Sequence, residues 1–329
     1  MVLGHESNLL YPISMEKVLV TGANGFVGRH VVAELLAHDI SVVALGGPTG
    51  SSEQPHDKVE YLSVDLTAPE AVSKIDFTRI SGIIHLAGLA AVGPSFDKPL
   101  EYITANSGME INLFEAALAQ NAHPRALIIS SGSLYDAKAA LPLTEASPVS
   151  PSSPYAVSKV TQEQMAWYYG GRGFECVVAR PFNHIGPGQN QGFLVPDLTK
   201  QIVDIERGVA TEVRVGNLDA ERDYTDVRDI ARAYRLLLEK GAPGETYNIC
   251  SGRALSGHVV LEHILKAAGG SPTITTDPSK MRPADSPVIY GSHDKLTLAT
   301  GWEPTISIAQ TMLDVVADWR SRETKPAAA

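Results

Sequence analysis

The chain has 329 residues, of which 44% are hydrophobic and 19% are charged, and its formal net charge is -10. These values are typical of a globular protein with a sizeable buried core, and they exclude a disordered or fibrous chain. The acidic excess, with no compact basic run, argues against nucleic-acid binding, although a few arginines in a cleft can still bind a small anion. No apolar run approaches the ~20 residues that cross a bilayer, so we expect no membrane partner.

The first fourteen residues lack the basic start and apolar core of a signal peptide. Because Met15 directly precedes the first predicted strand, we interpret residues 1–14 as a disordered extension or the product of an upstream start. Cys176 and Cys250 each lie in an apolar, strand-like run, which favours reduced thiols in a cytoplasmic protein. The histidines show no metal-ligand spacing, so we predict no metal site.

A glycine-rich turn follows the first predicted strand, 17–21, and precedes a helix that runs to about Ala37. Glycines in this context let the backbone approach a pyrophosphate at the helix N-terminus, whereas a plain strand-to-helix turn is the alternative. The spacing is G-x-x-G-x-x-G rather than the commoner G-x-G-x-x-G. The nucleotide-binding residues that this segment predicts are Gly22, Asn24, Gly25, Phe26, Val27, Gly28 and Arg29.

The second predicted strand, 41–45, lacks the acidic residue that usually holds the ribose 2′-hydroxyl of NAD. Its end reads Ala44-Leu45-Gly46-Gly47. This absence of a carboxylate favours NADP(H), with NAD(H) still possible, and makes Arg29 a candidate contact of the 2′-phosphate.

Strands at 59–64, 82–88, 125–130 and 175–179 alternate with helices, which predicts a Rossmann-like, doubly wound parallel sheet of the α/β class. Residues that follow the third and fourth strands lie where a cofactor would approach the backbone. These residues are Asp65, Leu66, Leu86, Ala87 and Gly88. Asn106 lies in the next helix, where a distortion near the site and an exposed polar face are both open interpretations.

Tyr155 and Lys159 lie four residues apart in a predicted helix and therefore share one face. A lysine ammonium near a phenol lowers the phenol pKa, and such a pair can transfer a proton at a carbonyl or alcohol. Of the eleven tyrosines, Tyr155 alone is followed by a lysine four positions later. An ordinary solvated helix face is the alternative.

The pattern changes after Arg180. Residues 181–189 are rich in Gly and Pro and predict a loop, and residues 216–223 and 271–287 look irregular. We therefore predict a dinucleotide-binding domain at 15–180, with returning segments near 223–250. The remaining segments, 181–222 and 251–320, form a smaller, discontinuous α/β lobe over the carboxyl edge of the sheet, and 321–329 is a tail. A strand at 246–250 fits either part.

The glycine turn, His85-Leu86-Ala87-Gly88, Ser130-Ser131-Gly132-Ser133-Leu134-Tyr135 and Tyr155-Ala156-Val157-Ser158-Lys159 together resemble the extended short-chain dehydrogenase/reductases. The resemblance extends from Met15 to about Arg320, and the motifs follow the family's order. Segments 179–189, 215–218, 222–229 and 282–285 are similar to its GDP-mannose branch. The resemblance thus implies an NAD(P)-dependent oxidoreductase acting on a GDP-sugar.

Within that branch, the chain is most similar to the reductases that convert GDP-4-dehydro-6-deoxy-D-mannose to GDP-D-rhamnose at the C4 keto group. The related 4,6-dehydratases carry a glutamate where this chain has Ser133. A hydroxyl cannot replace that carboxylate in an elimination, so the resemblance favours simple reduction. A C4 epimerase, a 4,6-dehydratase and a reductase that forms GDP-6-deoxy-D-talose remain alternatives.

The resemblance also implies residue roles. Tyr155 exchanges the proton, Lys159 lowers the phenol pKa and holds the nicotinamide ribose, and Ser131 bonds the reacting oxygen. The further cofactor contacts are Pro181 and His184, and the further substrate contacts are Ser133, Asn183, Val195, Val215, Arg222 and Arg282. On the residues alone, the arginines also suit surface salt bridges, Asn183 a turn, His184 a solvated loop, and Val195 apolar packing.

A homodimer is expected from the same resemblance. Helices at 106–120 and 155–169 carry apolar faces that pair across a two-fold axis in the family. Packing of these faces against the sheet explains them equally well.

Overall fold

The protein is described by a computed structural model that covers residues 15–47, 56–280 and 287–322. The strands are β1 (Lys17–Thr21), β2 (Ser41–Gly46), β3 (Glu60–Ser63), β4 (Gly82–His85), β5 (Arg125–Ile129), β6 (Cys176–Pro181), β7 (Asn183–Ile185), β8 (Glu212–Val215), β9 (Glu221–Asp226), β10 (Thr246–Ile249), β11 (Ala254–Ser256), β12 (Thr273–Thr276) and β13 (Val288–Ile289). The helices are α1 (Phe26–Ala37), α2 (Pro69–Val72), α3 (Val92–Ser95), α4 (Pro99–Ala119), α5 (Pro154–Gly170), α6 (Leu194–Glu206), α7 (Val227–Lys240), α8 (Gly257–Ala268), α9 (Asp294–Thr300) and α10 (Ile308–Arg322).

The central sheet has seven strands in the order β3-β2-β1-β4-β5-β6-β10, and every neighbouring pair is parallel. The strand order reverses between β1 and β4, which opens a crevice beyond the carboxyl ends of these strands. The predicted Rossmann-like α/β fold is confirmed. The strand at 246–250 belongs to this sheet, where β10 pairs with β6.

Both faces of the central sheet are covered by helices, because successive strand residues point to opposite faces. Ile84 packs on the face covered by α1 and α7, together with Leu35 and Tyr234. Ile83 points the other way, toward α4 and α5, where the Phe114 and Tyr169 rings stack with centroids 4.4 Å apart. This double burial explains why the strands read as continuous apolar runs in the sequence.

A separate hydrophobic cluster fills the smaller lobe. It gathers side chains from α6, α8 and α10, such as Ile202, Val260 and Val316. The β-structure of the lobe is formed by β9, which pairs with β7, β11 and β13, and by the parallel pair β8 and β12. The chain therefore leaves the central sheet after β6, builds part of the lobe, and returns through β10. The domain boundaries given above stay a prediction.

Three segments that the sequence predicted to be irregular contain strands. β7 lies inside the predicted loop 181–189, β9 begins inside the predicted irregular segment 216–223, and β12 lies inside the predicted irregular segment 271–287. β9 reads Glu-Arg-Asp-Tyr-Thr-Asp and has no apolar run, yet its backbone pairs on both sides. Backbone pairing, not side-chain hydrophobicity, makes it a strand, so its pattern gave no signal.

Candidate active site

The crevice between β1 and β4 is closed at its base by a hydrogen-bonded link between the two strands. Thr21 Oγ1 lies 2.9 Å from His85 Nδ1 and accepts a bond of 2.9 Å from the Ala87 N–H. The link holds residues 86–88 beside the glycine turn, so the Leu86, Ala87 and Gly88 positions predicted for the cofactor lie next to residues 22–28.

The glycine turn has no room for side chains. Gly22 has φ +64°, a left-handed conformation that favours glycine, and a Cβ there would lie 3.1 Å from Ala87 N. A Cβ at Gly28 would lie 2.1 Å from Gly22 O. Gly25 stands at the N-terminus of α1, where it brings no side chain to cap the first N–H groups of the helix. This glycine cradle fits a pyrophosphate at a helix N-terminus.

The end of β2 borders the same turn. A Cβ at Gly46 would lie 2.1 Å from the Tyr61 hydroxyl, to which Asn24 Nδ2 donates at 3.4 Å. Arg29 is exposed, and its Nε donates to Asn24 O at 3.1 Å. These residues surround the position predicted for the adenosine half of a cofactor.

Of the two residues predicted after β3, only Leu66 is buried. The Asp65 carboxylate is exposed and accepts from Thr67 N at 2.9 Å and Thr67 Oγ1 at 2.6 Å. Leu66 is 5% exposed, and its carbonyl accepts from Asn112 of α4 at 2.8 Å.

Asn106 is fully buried, which rules out the exposed polar face that the sequence left open. Its Oδ1 accepts from Leu89 N at 2.7 Å, and its Nδ2 donates to Leu89 O at 3.2 Å and to Ser158 Oγ at 2.9 Å. Ser158 in turn donates to Tyr155 O at 2.7 Å. Asn106 thereby joins α4, the chain after Gly88 and the start of α5.

The N-terminus of α5 fixes Tyr155 and Lys159. Ser153 Oγ accepts from Ala156 N at 3.1 Å, and Pro154 occupies the first helical position, where it lacks only an N–H that no helix bond needs. Lys159 Nζ donates to Ile129 O at the end of β5 and to Gln162 Oε1, both at 2.8 Å. The ammonium lies 6.0 Å from the centroid of the Tyr155 ring.

Burial dominates the protonation of this pair. It raises the pKa of Tyr155, while a hydrogen bond from Ser131 acts in the opposite direction. Loss of solvent thus outweighs the effect of Ser131 on the phenol, and the lowering of the Tyr155 pKa by Lys159 stays a prediction. Burial also lowers the pKa of Lys159 to about 8, against the opposing attraction of Glu110 and Glu163.

Ser131 and Ser133 stand together after β5. Ser131 Oγ accepts from Ser133 N at 3.1 Å and lies 2.8 Å from Ser133 Oγ. Ser131 is half-buried and Ser133 is exposed, and no carboxylate occupies either position. The two hydroxyls can supply hydrogen bonds to a substrate oxygen, but neither can act as a carboxylate base.

A buried ion pair, which the sequence did not predict, joins β6 to α5. Arg180 of β6 donates to both oxygens of Glu163 of α5, at 2.8 and 2.7 Å, and Ser130 Oγ donates to the same carboxylate at 2.6 Å. Arg180 also donates to the Tyr135 hydroxyl at 3.1 Å. A buried ion pair is tolerated when its geometry is bidentate and its remaining polar atoms are also hydrogen-bonded, as they are here.

His184 lies against the glycine turn rather than in open solvent. Its ring stacks on Phe26 with centroids 6.0 Å apart, its Nδ1 lies 3.1 Å from Phe182 O, and burial lowers its pKa. Pro181 ends β6 and is buried, whereas Asn183 is exposed. The structure thus brings His184 to the glycine turn, whereas Pro181 lies at the carboxyl end of β6 and is separated from β4 by β5.

The residues predicted for the sugar nucleotide are dispersed. Val195 and Val215 are 1% and 6% exposed and pack in the core of the lobe, so apolar packing accounts for both side chains. Arg222 is half-buried in β9, and its Nη1 donates to Glu221 O at 2.8 Å. The neighbouring Asp223 carboxylate accepts from Ser251 and Gly252. Arg282 lies outside the described residues.

Glu110 and Gln162 are two further side chains in the interior next to Lys159. Sequence reasoning missed both of them. Both are completely buried. No local pattern signals them, because a glutamate or glutamine in a long helix usually faces solvent.

Within residues 15–47, 56–280 and 287–322, no cluster of three or more His, Cys, Asp or Glu side chains could hold a metal ion. No helix in that part of the chain is long and apolar enough to cross a membrane.

The chain was compared with known proteins. The sequence model of the NAD dependent epimerase/dehydratase family matches residues 18–250. The chain is 36% identical to GDP-6-deoxy-D-mannose reductase of Pseudomonas aeruginosa over 93% of this chain and 98% of the relative. It is 28% identical to UDP-glucose 4-epimerase 2 of Oryza sativa, over 92% of this chain and 81% of the relative.

Among solved structures, RMD from Pseudomonas aeruginosa complexed with NADPH superposes with a TM-score of 0.84 and 35% identity, covering 94% of this chain and 100% of that chain. These findings confirm the predicted kind of protein, a nicotinamide-dependent enzyme related to the nucleotide-sugar oxidoreductases. The chain belongs to the NAD dependent epimerase/dehydratase family.

Proposed function

We propose that this protein reduces the C4 keto group of GDP-4-dehydro-6-deoxy-D-mannose to give GDP-D-rhamnose, with NADPH preferred over NADH. The observation that carries the proposal is the crevice beside β5, where buried Tyr155 and Lys159 lie with Ser131 and where Ser133 replaces the carboxylate that an elimination would need. The similarity to GDP-6-deoxy-D-mannose reductase supports the same substrate.

The cofactor would lie across the carboxyl edge of the central sheet. The glycine turn and the free N-terminus of α1 would take the pyrophosphate, and Arg29 the 2′-phosphate. Asp65 and Leu66 would border the adenine, and Leu86, Ala87 and Gly88 the middle of the cofactor. When bound, the reduced nicotinamide supplies the hydride for the C4 carbon.

Three side chains of this protein would act on the keto oxygen. Ser131 donates a hydrogen bond that polarises the carbonyl, and Tyr155 gives its proton as negative charge develops on that oxygen. Lys159, held by Ile129 O and Gln162, stabilises the resulting phenolate by its charge. Ser133 stays at 2.8 Å from Ser131 and orients its hydroxyl.

The substrate diphosphate would be bound by Arg222 and Arg282, since guanidinium groups pair with phosphate oxygens in a bidentate way. Asn183, exposed at the start of β7, would bond the sugar or the phosphate. We place Val195 and Val215 in the wall under the guanine, where their packing in the lobe core would shape the pocket without direct polar contact.

The decisive experiment is incubation of the purified protein with GDP-4-dehydro-6-deoxy-D-mannose and either reduced cofactor. We expect stoichiometric oxidation of NADPH and a product whose NMR spectrum is that of GDP-D-rhamnose. A GDP-6-deoxy-D-talose product would mean that the same keto group is reduced but that hydride reaches its opposite face. Failure to oxidise either cofactor would overturn the proposal.

A C4 epimerase is the second candidate, favoured by the match to UDP-glucose 4-epimerases over nearly the whole chain. An epimerase restores its cofactor in each cycle, whereas a reductase consumes it. Turnover of UDP-glucose without added cofactor would therefore support the epimerase, and we expect none.

We further propose a cytoplasmic homodimer formed through α4 and α5. Leu100 of α4 and Val157 and Tyr168 of α5 are 74%, 38% and 54% exposed, which leaves apolar surface on this helix pair. Sedimentation velocity should give the mass of two chains, and Tyr168→Glu should weaken the association. A monomer at micromolar concentration would contradict this.

A further inference from the structure

The interior next to Lys159 contains a carboxyl group that the reaction described above does not use. Glu110, in the middle of α4, is 0% exposed. Among the residues that the structure describes, neither of its carboxylate oxygens has a hydrogen-bond partner. An unpaired buried carboxyl is costly, and such groups concentrate where they serve function.

Gln162 connects this carboxyl to the catalytic pair. Its Oε1 accepts from Lys159 Nζ at 2.8 Å. Its side chain also acts to lower the pKa of Glu110, against the larger effect of burial. Within the described residues, Gln162 Nε2 makes no hydrogen bond of normal geometry. Tyr155, Lys159, Gln162 and Glu110 are all buried in the region where α5 packs against α4.

We propose that Glu110 is a positioning residue that keeps Lys159 in its ammonium form during catalysis, acting through Gln162. The inference rests on the proposed role of Lys159. An ionised Glu110 attracts the ammonium across a dry interior, where charge interactions are poorly screened.

The other charged and titratable groups around Lys159 are few. Glu163, on the same helix, is engaged by Arg180 and Ser130. His85, at the end of β4, has its pKa lowered to about 3 by burial and by Lys159, so it is neutral. Cys176 of β6 is the other titratable group near Glu110, and burial raises its pKa to about 12. Glu110 is thus the one nearby carboxylate of the described chain that is not already paired.

The titration order follows from burial. Desolvation raises the pKa of Glu110 well above its ordinary value and lowers that of Lys159 to about 8. Because the two pKa values are displaced toward each other, the ionised carboxyl and the ammonium stabilise one another. This attraction holds the Lys159 proton to higher pH than burial alone would allow.

The test is the pH profile of kcat for Glu110→Gln, a variant of nearly the same shape that cannot ionise. We expect the alkaline limb to move to lower pH by about one unit, with activity at the optimum nearly unchanged. Gln162→Met should shift the limb in the same direction, and the double variant should shift it no further than the larger single shift. The matched control is Glu115→Gln on the same helix, whose carboxylate is exposed and bonds Arg172, and it should leave the limb in place.

A second readout needs neither substrate nor cofactor. The pKa of Glu110 is higher in the folded chain than in the unfolded chain. The native state is therefore destabilised as the pH rises above the pKa of the unfolded chain. Glu110→Gln should accordingly become more stable than the wild type with increasing pH. A double-mutant cycle of Glu110→Gln and Lys159→Met, measured as thermal unfolding midpoints near pH 8, should show shifts that do not add. An unchanged alkaline limb in Glu110→Gln, or additive shifts in the cycle, would overturn the inference. If the wild type oxidised no cofactor, the proposed reaction would fail while the thermal cycle still tested the coupling.

Discussion

At the scale of single residues, burial sets the chemistry of the site. The spacing of Tyr155 and Lys159 puts them on one helix face and leaves a solvated face as the alternative. The structure places both near the end of β5. The spacing could not predict the loss of solvent around them, which raises the pKa of Tyr155 and lowers the pKa of Lys159. The phenol therefore stays protonated and can donate its proton, and the pKa of the lysine lies closer to neutral pH.

Replacing Tyr155 by Phe removes the proton donor without changing the shape of the helix. We expect kcat to fall by about 10²–10⁴ while cofactor affinity is kept, because the loss falls on proton transfer. Cofactor oxidation with the keto sugar measures the rate, and fluorescence titration measures binding. The control is Tyr168→Phe, an exposed position on the same helix, where activity should not change. Full activity in Tyr155→Phe would remove this residue from the mechanism.

The lowered pKa of Lys159, about 8 against an ordinary 10.5, predicts two opposite pH effects. Activity should fall above about pH 8 as the ammonium loses its proton. Stability should rise over the window from about 8 to 10.5, because there the unfolded chain holds the proton that the folded chain has lost. Rate profiles and thermal unfolding check the two effects, and Lys159→Met should lose the stability change. A wild-type stability that falls through this window relative to Lys159→Met would contradict the burial argument.

At the scale of elements, the strand, glycine turn and first helix were predictable because they follow local rules. The charged strand β9 and the short strand β7 were not, since their pairing depends on segments far away in sequence. For the same reason Asn106 stayed ambiguous: its partners Leu89 and Ser158 come from two other segments. Glu110 and Gln162 gave no signal at all, because only the packing of α4 against α5 buries them.

The glycine turn allows a direct test at this scale. Gly28→Ala would place a Cβ 2.1 Å from Gly22 O, so the turn must shift. We expect a loss of about 1–3 kcal/mol in urea unfolding together with weaker cofactor binding. Gly108→Ala on α4 meets nothing within 4 Å and should instead gain up to ~1 kcal/mol. Equal behaviour of the two variants would contradict the close packing of the turn.

At the scale of the whole molecule, the fold class could be predicted from the alternation of strands and helices. The membership of β10 in the central sheet could not be predicted, because a short strand-like segment, Thr-Tyr-Asn-Ile, suits either part. The substrate side was the least predictable, since Val195 and Val215 prove to be core residues and their surroundings are set by tertiary packing.

The preference between the two cofactors can be measured through the stability of the whole protein. Saturating NADPH should raise the stability of the native state by about 2.7 kcal/mol at a hundredfold excess over Kd, and NADH by less. Arg29→Ala should reduce the effect of NADPH toward that of NADH and leave the effect of NADH unchanged. Thermal unfolding with each cofactor measures both. A larger shift with NADH would reverse the assigned preference.

The position of β10 beside β6 has a consequence for how the protein is made. Every residue of β6 is buried, yet its outer neighbour, β10, follows roughly 70 residues later in the chain. At ~5–20 residues per second, a ribosome would need about 3 to 14 seconds to deliver that neighbour. During this interval the nascent sheet ends in an apolar, unpaired strand, which is the kind of edge that recruits other chains. We therefore expect a fragment that stops at Pro181 to aggregate more readily than the full chain.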